Sequence, residues 1–460
     1  MARLYIPEPK IKLYEDGFEE HDKLDRKTTG DKLSDLVERI DDPLVIALDG
    51  AWGSGKSVFL KCWVGEHLKH HGDKTQTVYF DAFQHDYLDD PLIALTSAIS
   101  ERIERNPESK SAKAWRIAKN AAPFLGKAAL RLGTAALVGK AISLTGDEDG
   151  ALNDIGDKLS EEGGDIAKSL DDFWKKEDGK RAAMEAFRSA LVQLTAPDEQ
   201  GSPTQKLVIV IDELDRCRPD YALSVLEIAK HFFDVDGVHF VLGCNMDALA
   251  FSVKSRYGQD YEAERYLQRF VSLTIKLNQK SPSDPSLNPI SRYFEKTAIQ
   301  MGLGKSPYLQ SLQQYLLNMQ FQQEFSIRSL HHLLRRLAIT PLPRNRDHFE
   351  AALVSGLLLL EAFSPNVIQK IRRLDADMND ISVALKLQDP DTTDSYEHQT
   401  NWAAWWACYE DTSDARFAIV MGIGNALFAK GYDANYVKHL LEERLDVFEV
   451  QQLTQFQFDR

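Results

Sequence analysis

Apolar residues over the first 280 positions fall into short runs separated by helical stretches. Leu33, Leu36, Val37 and Ile40 recur at helical spacing behind Thr28 and Thr29, two candidate caps, so a short amphipathic helix is predicted after a polar, turn-rich start at 1–29. Leu44–Leu48 is uninterrupted apolar sequence ending in Asp49-Gly50, the pattern of a buried parallel strand emptying into a glycine-rich turn. The pattern then predicts a helix over Ser57–Leu68, a strand over Thr77–Phe80 and a helix over Pro91–Ile103. Further strands are predicted at Leu207–Ile211, Val238–Leu242 and Val271–Leu277. Strands apolar throughout and separated by helices specify a parallel α/β sheet covered on both faces.

From Ser291 onward helical periodicity dominates, with a strongly apolar stretch at Ala351–Phe363 and a helical segment carrying Trp402, Trp405 and Trp406, which read as core rather than a ligand box. The chain of 460 residues exceeds one ordinary core. It is divided here into an N-terminal extension at 1–29, an α/β core at 30–280 interrupted by an insertion at about 104–200, a helical segment at 281–345 and a helical C-terminal domain at 346–460. No pattern of His, Cys, Ser or acidic residues in the last segment suggests a second catalytic centre, so it reads as a partner-binding or regulatory module.

The turn after the first strand, Gly50-Ala51-Trp52-Gly53-Ser54-Gly55-Lys56-Ser57, satisfies G-x-x-x-x-G-K-[ST] between a strand and a helix. Glycines at that spacing let successive backbone N–H groups curl around a phosphate, and the helix N-terminus adds partial positive charge. The nucleotide-contacting stretch therefore runs from Gly50 through Val58, with Lys56 reaching the β- and γ-phosphates and Ser57 offering its hydroxyl to Mg²⁺. Leu207–Ile211 ends in Asp212-Glu213, an apolar strand closed by paired acids. Asp212 is the expected Mg²⁺ residue, on a strand expected to adjoin that of the glycine loop, and Glu213 would accept a proton from, or orient, the water attacking the γ-phosphate. The competing reading is that the two acids merely end a strand.

Charge and cysteine content narrow the setting. A formal charge of −15 argues against sequence-independent nucleic-acid binding over the whole surface. Cys62, Cys217, Cys244 and Cys408 form no C-x-x-C pair and imply neither a zinc site nor a disulfide framework, which fits a reducing cytoplasm. The N-terminus has no apolar core of signal-peptide length, so export is not expected. Residues 110–146 hold Lys110, Lys113, Arg116, Lys119, Lys127, Arg131 and Lys140 and no acid. A span needs about 20 apolar residues, and the three cations in Ala121–Leu144 would each cost about 2.5–3.5 kcal/mol near the bilayer centre, so no transmembrane span is expected. Pairing of this segment with the acidic stretch Asp147–Asp172 is favoured over contact with anionic lipid or a nucleic-acid backbone.

With Trp52 inside the loop, Gly50–Ser57 resembles the KAP family of P-loop NTPases, relatives of the STAND and AAA-like ATPases. Phe80-Asp81-Ala82-Phe83-Gln84, with Tyr87 and Asp90-Pro91-Leu92, is similar to the family's second-strand region, although Phe83 stands where Trp is commoner. Ile211-Asp212-Glu213-Leu214-Asp215-Arg216-Cys217 resembles its extended Walker B element, with Glu213 where many members carry Asp. The resemblance covers roughly 20–340. It implies a P-loop core, a helical lid at 281–345, ATP and Mg²⁺ as cofactors, and ATP hydrolysis. It also implies a sensor role for Asn245 after Val241-Leu242-Gly243-Cys244, the alternative being an Asn that merely ends a strand in a turn.

Tyr266-Leu267-Gln268-Arg269-Phe270 matches the place from which related ATPases send an arginine finger to a neighbouring subunit. Arg269 or Arg265 would serve, or either would pair locally with Glu262 or Glu264. Ser326-Ile327-Arg328-Ser329-Leu330 is similar to the segment whose arginine reaches from lid to nucleotide, which makes Arg328 the sensor candidate ahead of Arg335 and Arg336. The family includes prokaryotic members, some implied in resistance to phage. The function expected is a nucleotide-driven switch, with further copies of the chain or a partner protein engaged through the C-terminal domain. A nucleotide-bound scaffold or membrane-surface adaptor with little turnover is the alternative, and phosphate transfer to a small substrate is disfavoured because Glu213 suits water as acceptor.

Overall fold

The structure, a computed structural model, describes residues 4, 9–88, 91–104, 188–189, 191–197, 201–232, 235–277, 289–304, 306–320, 326–340, 348–387, 396–409, 439 and 441. The basic segment 110–146 and its acidic neighbour lie outside them. The chain divides into two compact units, one of Lys10–Asp22 with Arg26–Asn278 and one of Met1–Pro9 with Lys23–Asp25 and Gln279–Arg460.

The first unit is a five-stranded, all-parallel sheet with helices. In chain order it contains α1 (Lys27–Arg39), β1 (Leu44–Asp49), α2 (Lys56–His71), β2 (Thr75–Asp81), α3 (Ala82–His85), α4 (Pro91–Glu104), β3 (Lys206–Asp212), α5 (Pro219–Phe232), β4 (Val238–Cys244), α6 (Met246–Tyr257), α7 (Ala263–Leu267) and β5 (Leu273–Lys276). The strand order is β2-β3-β4-β1-β5. Every residue of β3 and β4 is buried, as continuous Val/Ile/Leu runs require when both faces of a parallel sheet are covered.

Three expectations are corrected here. β4 stands between β1 and β3, so the acid-bearing strand does not adjoin the strand of the glycine loop. β5 is an edge strand with mostly exposed side chains, Leu273 at 41 %, because only β1 pairs with it and its sequence Leu-Thr-Ile-Lys is half polar. Thr28 and Thr29 lie within the first turn of α1 and do not cap it. The Asp22 carboxylate takes that place, accepting from the N–H groups of Arg26 and Lys27 at 2.8 Å. Residues expected as an N-terminal extension thus help build this unit, and Phe18 is buried against Phe59 with ring centres 5.5 Å apart.

The second unit is helical: α8 (Pro289–Gln300), α9 (Pro307–Gln320), α10 (Ile327–Ile339), α11 (His348–Phe363), α12 (Pro365–Arg372), α13 (Met378–Leu385) and α14 (Tyr396–Tyr409). Leu330, Leu333, Leu334 and Leu337 form the buried stripe of α10, and α11 is buried on nearly all sides from Ala351 to Leu360. Helices of the expected lid and of the expected C-terminal domain share one hydrophobic core. The tryptophans belong to that core: Trp405 donates to the Tyr315 hydroxyl at 2.9 Å, and Trp402 stacks on Trp406 at 4.4 Å. Among the described residues no helix is long and apolar enough to cross a membrane.

Candidate functional site

Parallel pairing in register brings the C-terminal strand ends to one edge of the sheet, where Asp81 lies level with Asp212, Asp212 with Gly243, and Cys244 with Asp49. The glycine loop leaves that edge after β1 and turns into α2. Gly53 and Gly55 have φ of 78° and 88°, values that side-chain-bearing residues avoid, and Gly55 is the N-cap of α2. The amides following it therefore open toward the space above β1, with Ser57 and Val58 in the first helical turn. Lys56 is almost buried, and its ammonium donates to the carbonyls of Gly50 at 2.5 Å and Ala51 at 3.3 Å.

Asp212 is wholly buried at the end of β3. Tyr79 donates to its Oδ2 at 2.7 Å and the Glu213 N–H to its Oδ1 at 2.9 Å, and the Ser57 hydroxyl lies near enough to favour its ionised form. Gly243 makes room for this arrangement, since a Cβ there would lie 2.6 Å from Asp212 Oδ1 and 2.4 Å from Leu60 Cδ1. Burial pushes the Asp212 carboxyl above the usual carboxylate range despite those donors, and Asp81 adds repulsion. Glu213 follows in the left-handed region at φ 59°, which turns its carboxylate back toward α2. Ser57 Oγ donates to Glu213 Oε1 at 3.5 Å, and Arg216 pairs with the same oxygen at 2.6 Å. Burial raises the Glu213 carboxyl, Arg216 opposes that, and Asp212 and Asp81 reinforce it.

Excess acidity in a closed space is a stability cost with a testable sign. A carboxyl whose folded pKa is raised contributes stability below its unfolded pKa that is lost as pH rises through the folded one. Burial therefore disfavours an Asp212 carboxylate in the folded chain, and Asp212→Asn is expected to raise the melting temperature of the nucleotide-free chain, at about 2–4 °C per kcal/mol relieved for a unit of this size. Calorimetry at pH 7.5 checks this, and a lower melting temperature would refute the assignment of Asp212 as a destabilising buried charge.

Two supports escaped the sequence reading. Arg26, buried just before α1, donates to the Ser54 carbonyl at 2.7 Å and braces the loop from below; burial lowers its pKa to about 10. The Trp52 indole, about half exposed, donates to Asp215 at 2.5 Å and ties the loop to the turn after β3. Neither has a local signal, since Arg26 lies 28 positions from its partner and Trp52 lies 163 from Asp215.

The remaining candidates are placed individually. Asn245 caps α6, its side-chain oxygen accepting from the N–H groups of Asp247 and Ala248 at 3.0 and 3.3 Å, which leaves its amide nitrogen as the donor for other work. Arg265 takes the local pairing, with Glu262 at 3.1 Å, while Arg269 is exposed and has no side-chain partner among the described residues. Arg328 lies in the first turn of α10, in the helical unit. No cluster of three or more His, Cys, Asp or Glu side chains able to hold a metal occurs among the described residues. Ser57 and Asp212 supply only two hard oxygen donors, the kind of partial set that suits Mg²⁺ completed by water and phosphate oxygens.

A glycine loop joining a buried strand to a helix, with its serine against a buried carboxylate at the end of another parallel strand, defines a P-loop NTPase. The chain belongs to the KAP family, whose P-loop domain matches residues 26–342. Solved structures similar to it include two of the Aeropyrum pernix ORC2 protein, both at 9 % identity and a TM-score of 0.31. One, with ADPNP and ADP, covers 93 % of this chain and 95 % of its own; the other, the ADP form, covers 98 % and 97 %. No curated protein matches the sequence.

Proposed function

We propose that the chain binds Mg-ATP along Gly50–Val58 and hydrolyses its β–γ phosphoanhydride to water, acting as a nucleotide-driven switch. The observation that carries this reading is the Ser57 hydroxyl, set at the base of the glycine loop between the carboxylates of Asp212 and Glu213. The loop amides hold the phosphates, and Lys56 exchanges the Gly50 and Ala51 carbonyls for phosphate oxygens. Ser57 and Asp212 would hold Mg²⁺, which when bound neutralises charge on the phosphate oxygens. Glu213 accepts the proton of the attacking water as the water oxygen bonds to Pγ and the bridging oxygen leaves with ADP. The Asn245 amide donates toward the γ-phosphate or the water.

Arg269 is the cation best suited to serve a neighbouring copy, because it is exposed and free of the local pairing that holds Arg265. Turnover per chain is then expected to rise with chain concentration, and Arg269→Ala to lower it by about 10²-fold or more while ATP binding persists. Mixing Arg269→Ala with a Glu213→Gln chain should restore turnover, because each supplies what the other lacks. Steady-state phosphate release across a concentration series tests this. A flat, near-zero rate at every concentration would favour the scaffold reading, and full activity of Arg269→Ala would remove the trans arginine. A part in defence against phage rests on the family resemblance, and equal plating of phage on cells carrying wild-type or Lys56→Ala chain would refute it.

A further inference from the structure

We propose that the helical unit contains a second ligand site, for a small organic phosphate of mononucleotide size, in the cavity between α10, α11 and α12. The cavity holds about 550 Å³, within the span of about 300–1,000 Å³ common to small-molecule sites. Its charge is opposite to that of the chain: among the described residues, Arg328, Arg336 and Arg372 line it against a single acid, Glu361, in a protein of formal charge −15. Arg336 pairs with Glu361, whose carboxylate is only 11 % exposed.

The geometry favours phosphate over a lone carboxylate. The first turns of both α10 and α12 border the cavity, and helix N-termini carry partial positive charge. The last turn of α11 opposes them, and it is there that Arg336 meets Glu361. Ser326 and Ser329 add hydroxyls, each within reach of the other at 2.7 Å, and guanidinium forks match phosphate oxygens two at a time. Phe363 and Ile368 supply the apolar wall on which the body of such a ligand would rest. Arg328 and Arg336 lie within the family-matched residues 26–342, whereas Glu361, Phe363, Ile368 and Arg372 lie beyond them, so the cavity is completed by residues outside the P-loop domain. In this arrangement Arg328 borders a cavity of its own unit, together with Arg372, whatever it contributes to the P-loop nucleotide.

The test uses the full chain with Lys56→Ala, which disables the glycine loop, and isothermal titration at low salt with two probes, AMP and inorganic pyrophosphate. At least one is expected to bind saturably at one site per chain. Adding Arg328→Glu, at an exposed position, should weaken that binding at least tenfold. Adding Ala362→Trp instead, which fills the cavity from an exposed position without altering charge, should do the same. Melting temperatures without ligand serve as the folding control, and if Arg328→Glu lowers its own, the Ala362→Trp result decides. Absence of saturable binding by either probe overturns the proposal, as does unchanged affinity in the folded cavity variants.

Discussion

Glu213→Gln is expected to bind ATP with wild-type affinity and to lose about 10²–10⁴-fold in turnover, the usual worth of a positioned general base. The substitution keeps the shape of a residue held at φ 59° and keeps an oxygen for Ser57 and Arg216, so the loop above it has no reason to move. What it removes is the group that takes the proton. The same residue sets a pH signature. Burial, with Asp212 and Asp81 nearby, raises the Glu213 carboxyl, and the base works only when deprotonated. Turnover of the wild-type chain is therefore present at high pH and lost as pH falls through a value above the ordinary glutamate value of about 4.3. Single-turnover rates from pH 5 to 9 measure both effects, and wild-type hydrolysis by the glutamine variant would contradict the role.

Lys56→Ala is expected to lower ATP affinity by about 10²–10⁴-fold, because a charge-assisted hydrogen bond contributes about 1.5–3 kcal/mol and this ammonium would make two. The loss is compounded by local damage. The ammonium bridges the carbonyls of Gly50 and Ala51, so its removal also leaves those loop acceptors without it before any nucleotide arrives. Titration with a slowly hydrolysed ATP analogue reads the change, and unchanged affinity would mean that the nucleotide sits elsewhere.

The parts of this architecture legible in the sequence are those written locally. Leu44–Leu48 and Leu207–Ile211 are apolar without interruption and Val238–Leu242 is broken only by His239, so burial of these runs as central strands follows from composition, with ends within two residues of those expected. The glycine loop is legible for the same reason, since the residues that shape it are consecutive. Strand order is not local. Nothing in the run Val238–Cys244 says that it lies between β1 and β3; that is decided by its pairing with both, Leu44 with His239 at a separation of 195 positions and Leu207 with Val238 at 31. The exposure of β5 follows from its edge position together with its half-polar sequence, Leu273–Lys276, and the edge position is not written in that sequence.

The same distinction runs through the site. Asp212 and Glu213 announce themselves at a strand end, but Tyr79, whose hydroxyl holds Asp212 from the neighbouring strand, lies 133 positions away. Asn245 illustrates two roles on one side chain: its oxygen is the cap that its residue type predicts, while its amide nitrogen is the part left for chemistry. Arg265 and Arg269, alike in the sequence, are separated only by which of them finds Glu262.

The most direct measurement is a crystal structure of the chain with Mg²⁺ and a slowly hydrolysed ATP analogue. It should show the β-phosphate among the amides that follow Gly53, Lys56 turned from the Gly50 carbonyl to the phosphates, and the metal beside Ser57 and Asp212. An analogue bound away from this loop, or a metal far from Ser57 and Asp212, would contradict it.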